Sequence, residues 1–445
     1  MKKKVYLIQP SFRKMDGKVV KGWSQVNCSL DLPMISASIP GEWEKDLCFE
    51  YYDDINFDTD ATVIFLTAMT NDIRHAYNIA ERLQSEERKI IFGGHLDAFA
   101  ETLMAEVCDT IYYGIPGPKE IGMLLDDAYH GNLKSEYHFG VNINFPFDYS
   151  LFRDKHVRYL QIMTSVGCRF SCDYCCYQMY YGGKFWLRDL DYVMADLKQA
   201  IKQTKTIAFR DINIYNDRKN LKDLCERIID EKINFRWGAQ CPIYVGNDEE
   251  ILHLMKKAGC KMIFVGLETL IQENLDSVHK PFKVSMYRDC IANIRKAGIN
   301  VAGYFMFGLD YDTPGVFDQV YDFVQENELS LVLLNIYIPN PGSKLFERMK
   351  DEGRADIHDE RTFMEVDPIY GMPNSHVYFT PKNISREDLQ KGFVNLARRL
   401  TSYKQILHRS LQPNIEAMTI LMMNLDQRRD RIKMEKDPEF AEVNL

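Results

Sequence analysis

The sequence predicts an α/β protein in three parts: a doubly wound parallel sheet over residues 1–136, a partial (β/α)6 barrel over 155–350, and an irregular and helical region over 351–445. A linker at 137–154 joins the first two. Three observations carry this. Short apolar runs alternate with stretches of helical spacing, the signature of parallel sheets covered by helices. The alternation restarts after a polar stretch holding Asn142, Asn144, Pro146 and Asp148. It ends after Gly342, where aromatic and Pro-rich sequence gives way to helix-like segments.

In the first part, strands are expected at 5–9, 48–52, 62–67, 90–92 and 110–113. Ile73, Ala76, Ile79, Ala80 and Leu83 stand at helical three-to-four spacing, with Thr70 or Asn71 as N-cap. Doubly wound sheets take ligands at the carboxyl ends of their strands. The informative loops are therefore 10–13, 68–71, 93–95 and 114–117. In the second part, strands are expected at 160–164, 207–209, 234–237, 262–265, 301–307 and 331–338. One helix between them is well marked. Asn247 and Glu250 read as its N-cap and N3 pair, Ile251, Leu254, Met255 and Ala258 as its apolar face, and Gly259 as its stop. Barrels of this kind carry their chemistry on the loops after the strands. Beyond residue 350, 363–381 reads as irregular, 385–403 and 406 onward as helices, and 437–445 as a tail.

At 445 residues the chain has material for two or three domains, and 46% hydrophobic residues suffice for sizeable cores. No apolar run reaches membrane-spanning length, and mean hydropathy is −0.32. The opening Lys2-Lys3-Lys4 followed by a short apolar run reads as a first strand, not a signal peptide, so a cytoplasmic location is expected. Eleven cysteines, an odd count in a long chain, argue for reduced thiols, with Cys48, Cys260 and Cys290 as core fillers. A net charge of −9 fits poorly with tracking a nucleic-acid backbone, so no nucleic-acid partner is expected.

The chemistry concentrates in Gly167-Cys168-Arg169-Phe170-Ser171-Cys172-Asp173-Tyr174-Cys175, just past an expected strand. Three thiolates at C-x3-C-x2-C spacing can hold three irons of a [4Fe–4S] cluster, which ordinarily takes four cysteines. The fourth iron is then open to a small ligand. Structural zinc prefers two separated pairs, and no second pair follows here, although Cys176 is adjacent. Buried structural cysteines are the other alternative, and three within eight residues on a polar loop fit it poorly.

This spacing, with an aromatic residue before the third cysteine, resembles the radical S-adenosylmethionine (radical SAM) enzymes. With Tyr181-Gly182-Gly183-Lys184 following, the chain looks like the subgroup that carries an N-terminal cobalamin (B12)-binding domain. The resemblance makes residues 1–136 a cobalamin-binding-like Rossmann domain and 155–350 the radical SAM partial barrel. It implies Cys168, Cys172 and Cys175 as cluster ligands. S-adenosylmethionine would chelate the open iron and be cleaved to a 5′-deoxyadenosyl radical.

Further site residues follow from the same resemblance. Tyr174 is expected near the adenine, or as a simple cover for the cluster. Asp211, with Asn213 after it, is a candidate acceptor for the S-adenosylmethionine ammonium; Ile212 stands where relatives often carry a second acid. A helix-capping Asp is the plainer reading of Asp211. Gln240 ends the third barrel strand and is expected at the barrel mouth. Glu268 follows an apolar strand, where a carboxylate needs a donor; the cofactor ribose or amino group is one donor, a neighbouring Lys or Arg another. Residues 303–309 and 337–342 would frame the adenine, or be ordinary turns. In the first domain, Ala68, Met69, Thr70, Asn71, Gly93, Gly94, His95 and Gly114 look like corrin-wrapping positions. The Asp-x-His-x-x-Gly pattern that supplies a cobalt ligand is absent, and Gly114 is followed by Ile115-Pro116 where relatives often have Gly-Glu.

The expected function is a cobalamin-dependent radical SAM enzyme, foremost a C-methyltransferase on an unactivated carbon of a small-molecule or lipid-like substrate. An electron donor such as flavodoxin or ferredoxin would be a partner. The alternatives are a radical SAM cyclase or rearrangement enzyme, a tRNA-modifying methylthiotransferase, and a cobalamin or redox sensor. The methylthiotransferase needs three further cluster cysteines and a basic domain, which Cys28, Cys48 and Cys108 and the acidic charge do not supply well.

Overall fold

The computed structural model describes residues 2–11, 19, 21, 29–68, 73–93, 98–357, 377–412 and 416–435. Contacts divide the chain into two compact units: Met1–Thr164, Arg188–Ile207 and His358–Tyr370 in one, Ser165–Leu187, Ala208–Ile357 and Gly371–Leu445 in the other.

The first unit is built on a six-stranded sheet of β1 (Lys4–Gln9), β2 (Glu44–Phe49), β3 (Val63–Thr67), β4 (Lys89–Gly93), β5 (Thr110–Ile115) and β6 (Glu136–Val141), in the order β2-β1-β3-β4-β5-β6. Every neighbouring pair is parallel. β1 and β3 are buried along their whole length, as near-continuous apolar runs in a doubly covered sheet require. Helices α1 (Asp31–Ser38), α2 (Ile73–Leu83), α3 (Ala98–Met104) and α4 (Pro118–His130) complete the layers. The apolar stripe of α2 packs against Ile64, Leu66, Ile90 and Phe92, as its spacing predicts. The strand order reverses at β1/β3, the switch point where such sheets bind ligands.

Two expectations shift. The second strand lies at Glu44–Phe49, earlier than 48–52. The stretch expected as linker opens with β6, and a 3-10 turn at Tyr149–Phe152 follows, with Asp148 accepting from the Ser150 N–H. β6 alternates Tyr137, buried, with exposed Glu136 and His138. An edge strand of such mixed polarity looks like loop in sequence.

The second sheet runs β14-β13-β12-β11-β10-β7, with β7 (Leu160–Ile162), β10 (Thr206–Phe209), β11 (Arg236–Gln240), β12 (Cys260–Glu268), β13 (Asn300–Phe307) and β14 (Leu331–Ile336). A short antiparallel pair, β8 (Ser165–Gly167) and β9 (Phe185–Leu187), brackets the cysteine loop. Helices follow the strands: α5 (Cys176–Tyr181), α6 (Leu190–Ala200), α7 (Arg218–Asp230), α8 (Glu249–Lys257), α9 (Gln272–Ser277), α10 (Tyr287–Lys296), α11 (Val316–Glu326) and α12 (Lys344–Asp351). The N-cap of α8 is Asp248, not Asn247: its carboxylate accepts the Ile251 N–H at 3.2 Å. Glu250 instead pairs with Arg218 and Lys222. The third strand lies at Arg236–Gln240, later than 234–237, because Trp237 and Ala239 are its buried positions.

Among the C-terminal helices, α13 (Arg386–Leu400) starts at the Ser385 cap and stops before the expected residue 403. α14 (Tyr403–Ser410) and α15 (Ala417–Met434) follow. α15 covers the open edge of β14. Asn424 and Gln427, one turn apart, donate to the carbonyls of Ser330 and Val332 at 3.1 and 2.8 Å, which satisfies strand groups that would otherwise be unpaired. Among the described residues, no helix is long and apolar enough to cross a membrane.

Candidate functional site

The cysteine loop leaves β8 at Gly167, whose φ of +84° and close approach to the Lys184 carbonyl exclude a side chain. Asn216 ties the loop's entrance on both sides: its Nδ2 donates to the Gly167 carbonyl at 2.9 Å, and its Oδ1 accepts the Arg169 N–H at 3.2 Å. Midway, the Asp173 N–H donates to the Val278 carbonyl at 3.0 Å, and the Asp173 carboxylate meets His279 at 2.8 Å. These bonds hold Cys168, Cys172 and Cys175 on one short, anchored segment, with Cys175 capping α5.

All three thiols are free, and burial raises the pKa of each; Cys175 is pushed up to about 12. Lys280 opposes that rise at Cys168 and Cys172, and Arg169 at Cys168. Buried thiolates therefore need a cation to form, and a metal deprotonates coordinating thiols outright. Among the described residues, no three His, Cys, Asp or Glu side chains gather tightly enough for a single ion. Three thiols at C-x3-C-x2-C spacing on one anchored loop suit three irons of a [4Fe–4S] cluster.

Tyr174 and Glu268 come together. Glu268, the last residue of β12, accepts from Lys280 Nζ at 2.7 Å and from Tyr174 Oη at 3.1 Å, and Lys280 also donates to Tyr174 Oη at 3.0 Å. Lys280 is 8% exposed and Glu268 13%, so this is a closed, largely buried triangle. Burial and the adjacent carboxylate keep Tyr174 protonated, well above the ordinary phenol range. The donor Glu268 needs is thus a neighbouring lysine, the plainer of the two readings. Sequence reasoning missed Lys280, which stands in a short polar loop after α9 with no motif around it.

Asp211 follows β10, is 1% exposed, and accepts from Ser165 Oγ at 2.6 Å. It does not cap a helix; the cap of α7 is Asp217. Asp211 thereby ties the end of one strand to the strand that launches the cysteine loop. Asn213 lies beside the Cys168 thiol and opposes the rise that burial imposes on its pKa. Gln240 ends β11, and its carbonyl accepts the Ile214 N–H at 3.0 Å.

In the first unit, Met69, Thr70, Asn71, Gly94 and His95 lie outside the described residues, as do the 12–13 part of the first loop, Cys28, most of 363–381 and the tail from 437. Ala68 follows β3 and is 8% exposed. Gly93 ends β4, but the space a side chain would take belongs to the Tyr112 ring, 2.1 Å from the Cβ position. Gly114 is needed for φ +90° and for the Phe139 carbonyl, 2.2 Å from its Cβ position, at a register shift between β5 and β6. Both glycines have reasons internal to the sheet. At the same carboxyl edge, the buried Thr67 Oγ1 and His75 Nδ1 have no hydrogen-bond partner among the described residues. That unmet polar demand beside the switch point fits a polar ligand such as cobalamin.

Residues 162–324 match the model of the radical SAM superfamily. This stretch is a radical SAM domain. The bacteriochlorophyllide d C-12(1)-methyltransferase of Chlorobaculum tepidum is 26% identical over 365 residues, covering 78% of this chain and 76% of that one. The C-8(2)-methyltransferase of the same organism is 24% identical, covering 74% and 77%. The fold is similar to that of the radical S-adenosylmethionine methyltransferase TsrM from Kitasatospora setae, solved with cobalamin and a [4Fe-4S] cluster bound. The TM-score is 0.68 at 14% identity, over 97% of this chain and 100% of that one. The α/β architecture expected from the sequence, doubly wound sheet then radical SAM domain then helices, is the one observed.

Proposed function

We propose that the chain is a cobalamin-dependent radical SAM C-methyltransferase acting on an unactivated carbon of a small molecule. The observation that carries the reading is the cysteine loop: three free thiols, Cys172 buried and Cys168 and Cys175 partly so, on one anchored segment inside the radical SAM domain, flanked by Lys280 and Arg169. The relatives named for methyl transfer to bacteriochlorophyllide d support the reaction class, and they make a conjugated macrocycle the first substrate to assay.

Cys168, Cys172 and Cys175 would hold a [4Fe–4S] cluster that supplies reductive cleavage of S-adenosylmethionine, and the carboxyl edge of the first sheet would hold cobalamin as the methyl carrier. The chain's own part is binding and orientation. Asn216 and Asp173 fix the loop. Asp211 braces Ser165 at the start of the strand that leads into the loop, and Asn213 lies beside Cys168. Lys280 and Tyr174 offer donors that Glu268 presently takes, and a carboxylate-bearing ligand can compete for them. An electron donor such as flavodoxin or ferredoxin is part of this proposal, as is a cytoplasmic site of action.

The test is anaerobic reconstitution with iron and sulfide, with and without hydroxocobalamin, followed by S-adenosylmethionine, a reductant and the macrocyclic substrate. Methyl transfer yields S-adenosylhomocysteine together with 5′-deoxyadenosine. Deoxyadenosine alone marks cyclisation or rearrangement. If the protein cleaves S-adenosylmethionine yet retains no cobalamin through gel filtration, the methyltransferase reading fails.

A further inference from the structure

A cavity of about 220 Å³ lies within the second unit, among β14, α13, α14 and α15. Leu333, Ala397 and Leu400 give it apolar walls, and Asn335, Arg409 and Arg431 give it polar ones. Arg409 is 2% exposed. Its Nε and Nη2 donate to Asn424 Oδ1 at 3.0 and 2.7 Å, and Nη2 also donates to the Leu400 carbonyl at 2.6 Å. Its Nη1 is buried with no partner among the described residues. No carboxylate there pairs with it, and burial pulls its pKa down to about 10.

The surrounding charge is lopsided. Arg431, 6% exposed, donates from Nη1 to Glu435, and its Nε is also buried without a partner. Arg398 shares the same Glu435. Arg428 donates to the Thr401 carbonyl. Of the aspartates on α15, Asp426 pairs with Arg429, and Asp430 pairs with Arg429 and Lys433. Two guanidiniums, on Arg398 and Arg431, thus share Glu435, while Arg409 and Arg428 donate to uncharged acceptors. A buried cation without a counter-charge is costly, and a guanidinium with free N–H groups matches the two oxygens of a carboxylate.

We propose that this cavity binds a carboxylate carried on a short apolar arm, with Arg409 and Arg431 as its donors. The volume is below that of pockets for drug-sized molecules, which run from roughly 300 Å³. It suits a chain of about six carbons, or one acidic side arm of a larger compound. Water filling the same space is the competing account, since polar cavities hold ordered water. The inference goes beyond the proposed reaction, and it needs neither iron nor cobalamin.

The test is thermal unfolding of the full-length chain at constant ionic strength, titrated with hexanoate, hexanamide or inorganic phosphate. Hexanoate should raise the midpoint saturably, by about 1.5 °C at ten times its Kd. Hexanamide and phosphate should not. Arg431→Gln should raise the apparent Kd about tenfold. Because that variant also loses Glu435, Ala397→Leu provides a second reading: it fills the cavity without touching a charge and should abolish the hexanoate shift. A hexanoate capped with a naphthyl group at its far end separates the two sources. Equal binding marks an arm of a larger molecule, and loss of binding marks a free small acid; both require the carboxylate site. No saturable shift with hexanoate, an equal shift with hexanamide, or a larger one with phosphate overturns the proposal. So does a hexanoate shift that survives Ala397→Leu.

Discussion

Glu268 accepts the Lys280 ammonium at 2.7 Å from a left-handed backbone, with φ +62°. A non-glycine residue in that region costs of order 1–3 kcal/mol and persists where its surroundings over-determine it. Here the surroundings are a register shift between Gly266 and Glu268 in the pairing of β12 with β13, and a lysine and tyrosine positioned to receive the carboxylate.

Removing the lysine should expose how much the pair matters. Lys280→Met leaves a carboxylate with 13% side-chain exposure and no cation. Breaking one partner of a buried pair costs about 3–5 kcal/mol, whereas replacing both can be nearly neutral. Urea unfolding should show Lys280→Met strongly destabilised and Lys280→Met/Glu268→Gln recovering at least half of the loss. If the double variant is no better than the single, the ion pair is not what the lysine contributes.

Gly266 is the condition for that pair. A Cβ there would lie 2.3 Å from Glu268 Oε1 and 2.9 Å from Lys280 Nζ, so Gly266→Ala must push the pair aside. The expected cost is about 1–3 kcal/mol. In a Glu268→Ala background the cost should fall by at least half, because the displaced atoms are gone. An equal cost in both backgrounds would locate the requirement in the backbone instead.

These cases show how far the sequence reaches. The α2 stripe, the alternation of strand and helix and the three cysteines are local patterns, and each can be read from spacing alone. Lys280 and Asn216 act through partners 12 to 106 residues away in the chain, and neither sits in a pattern. Asn247 and Asp248 compete for one cap, and the backbone geometry that decides between them is not legible in composition. Gly93 illustrates the reverse error: a glycine after a strand looks like room for a ligand, while the structure gives the room to Tyr112.

The cysteines allow a direct test of the metal. Cys168→Ala/Cys172→Ala/Cys175→Ala should remove the brown chromophore of anaerobically reconstituted protein and all cleavage of S-adenosylmethionine. Cys176→Ala, one residue into α5, should retain both. Iron analysis is the check: four irons per chain in the triple variant would remove these residues as ligands.

Asp312 predicts a pH dependence with a definite sign. It is fully buried; its Oδ2 accepts the Gly308 and Leu309 N–H groups at 2.8 and 3.2 Å, and its Oδ1 accepts Asn274 Nδ2 at 2.8 Å. Burial, despite these donors, lifts its pKa from the ordinary 3.8 to about 6. A carboxyl raised in the folded state binds its proton more tightly folded than unfolded. Its stabilising contribution is complete below the unfolded value and is lost as pH rises through about 6. Asp312→Asn carries no such titration, while every other group is common to both proteins. The stability difference between wild type and Asp312→Asn, from urea unfolding, should therefore shift against wild type between pH 5 and pH 7.5. A difference that stays constant, or moves in favour of wild type, means that the three donors outweigh burial and that the loop after β13 is held by an ionised carboxylate.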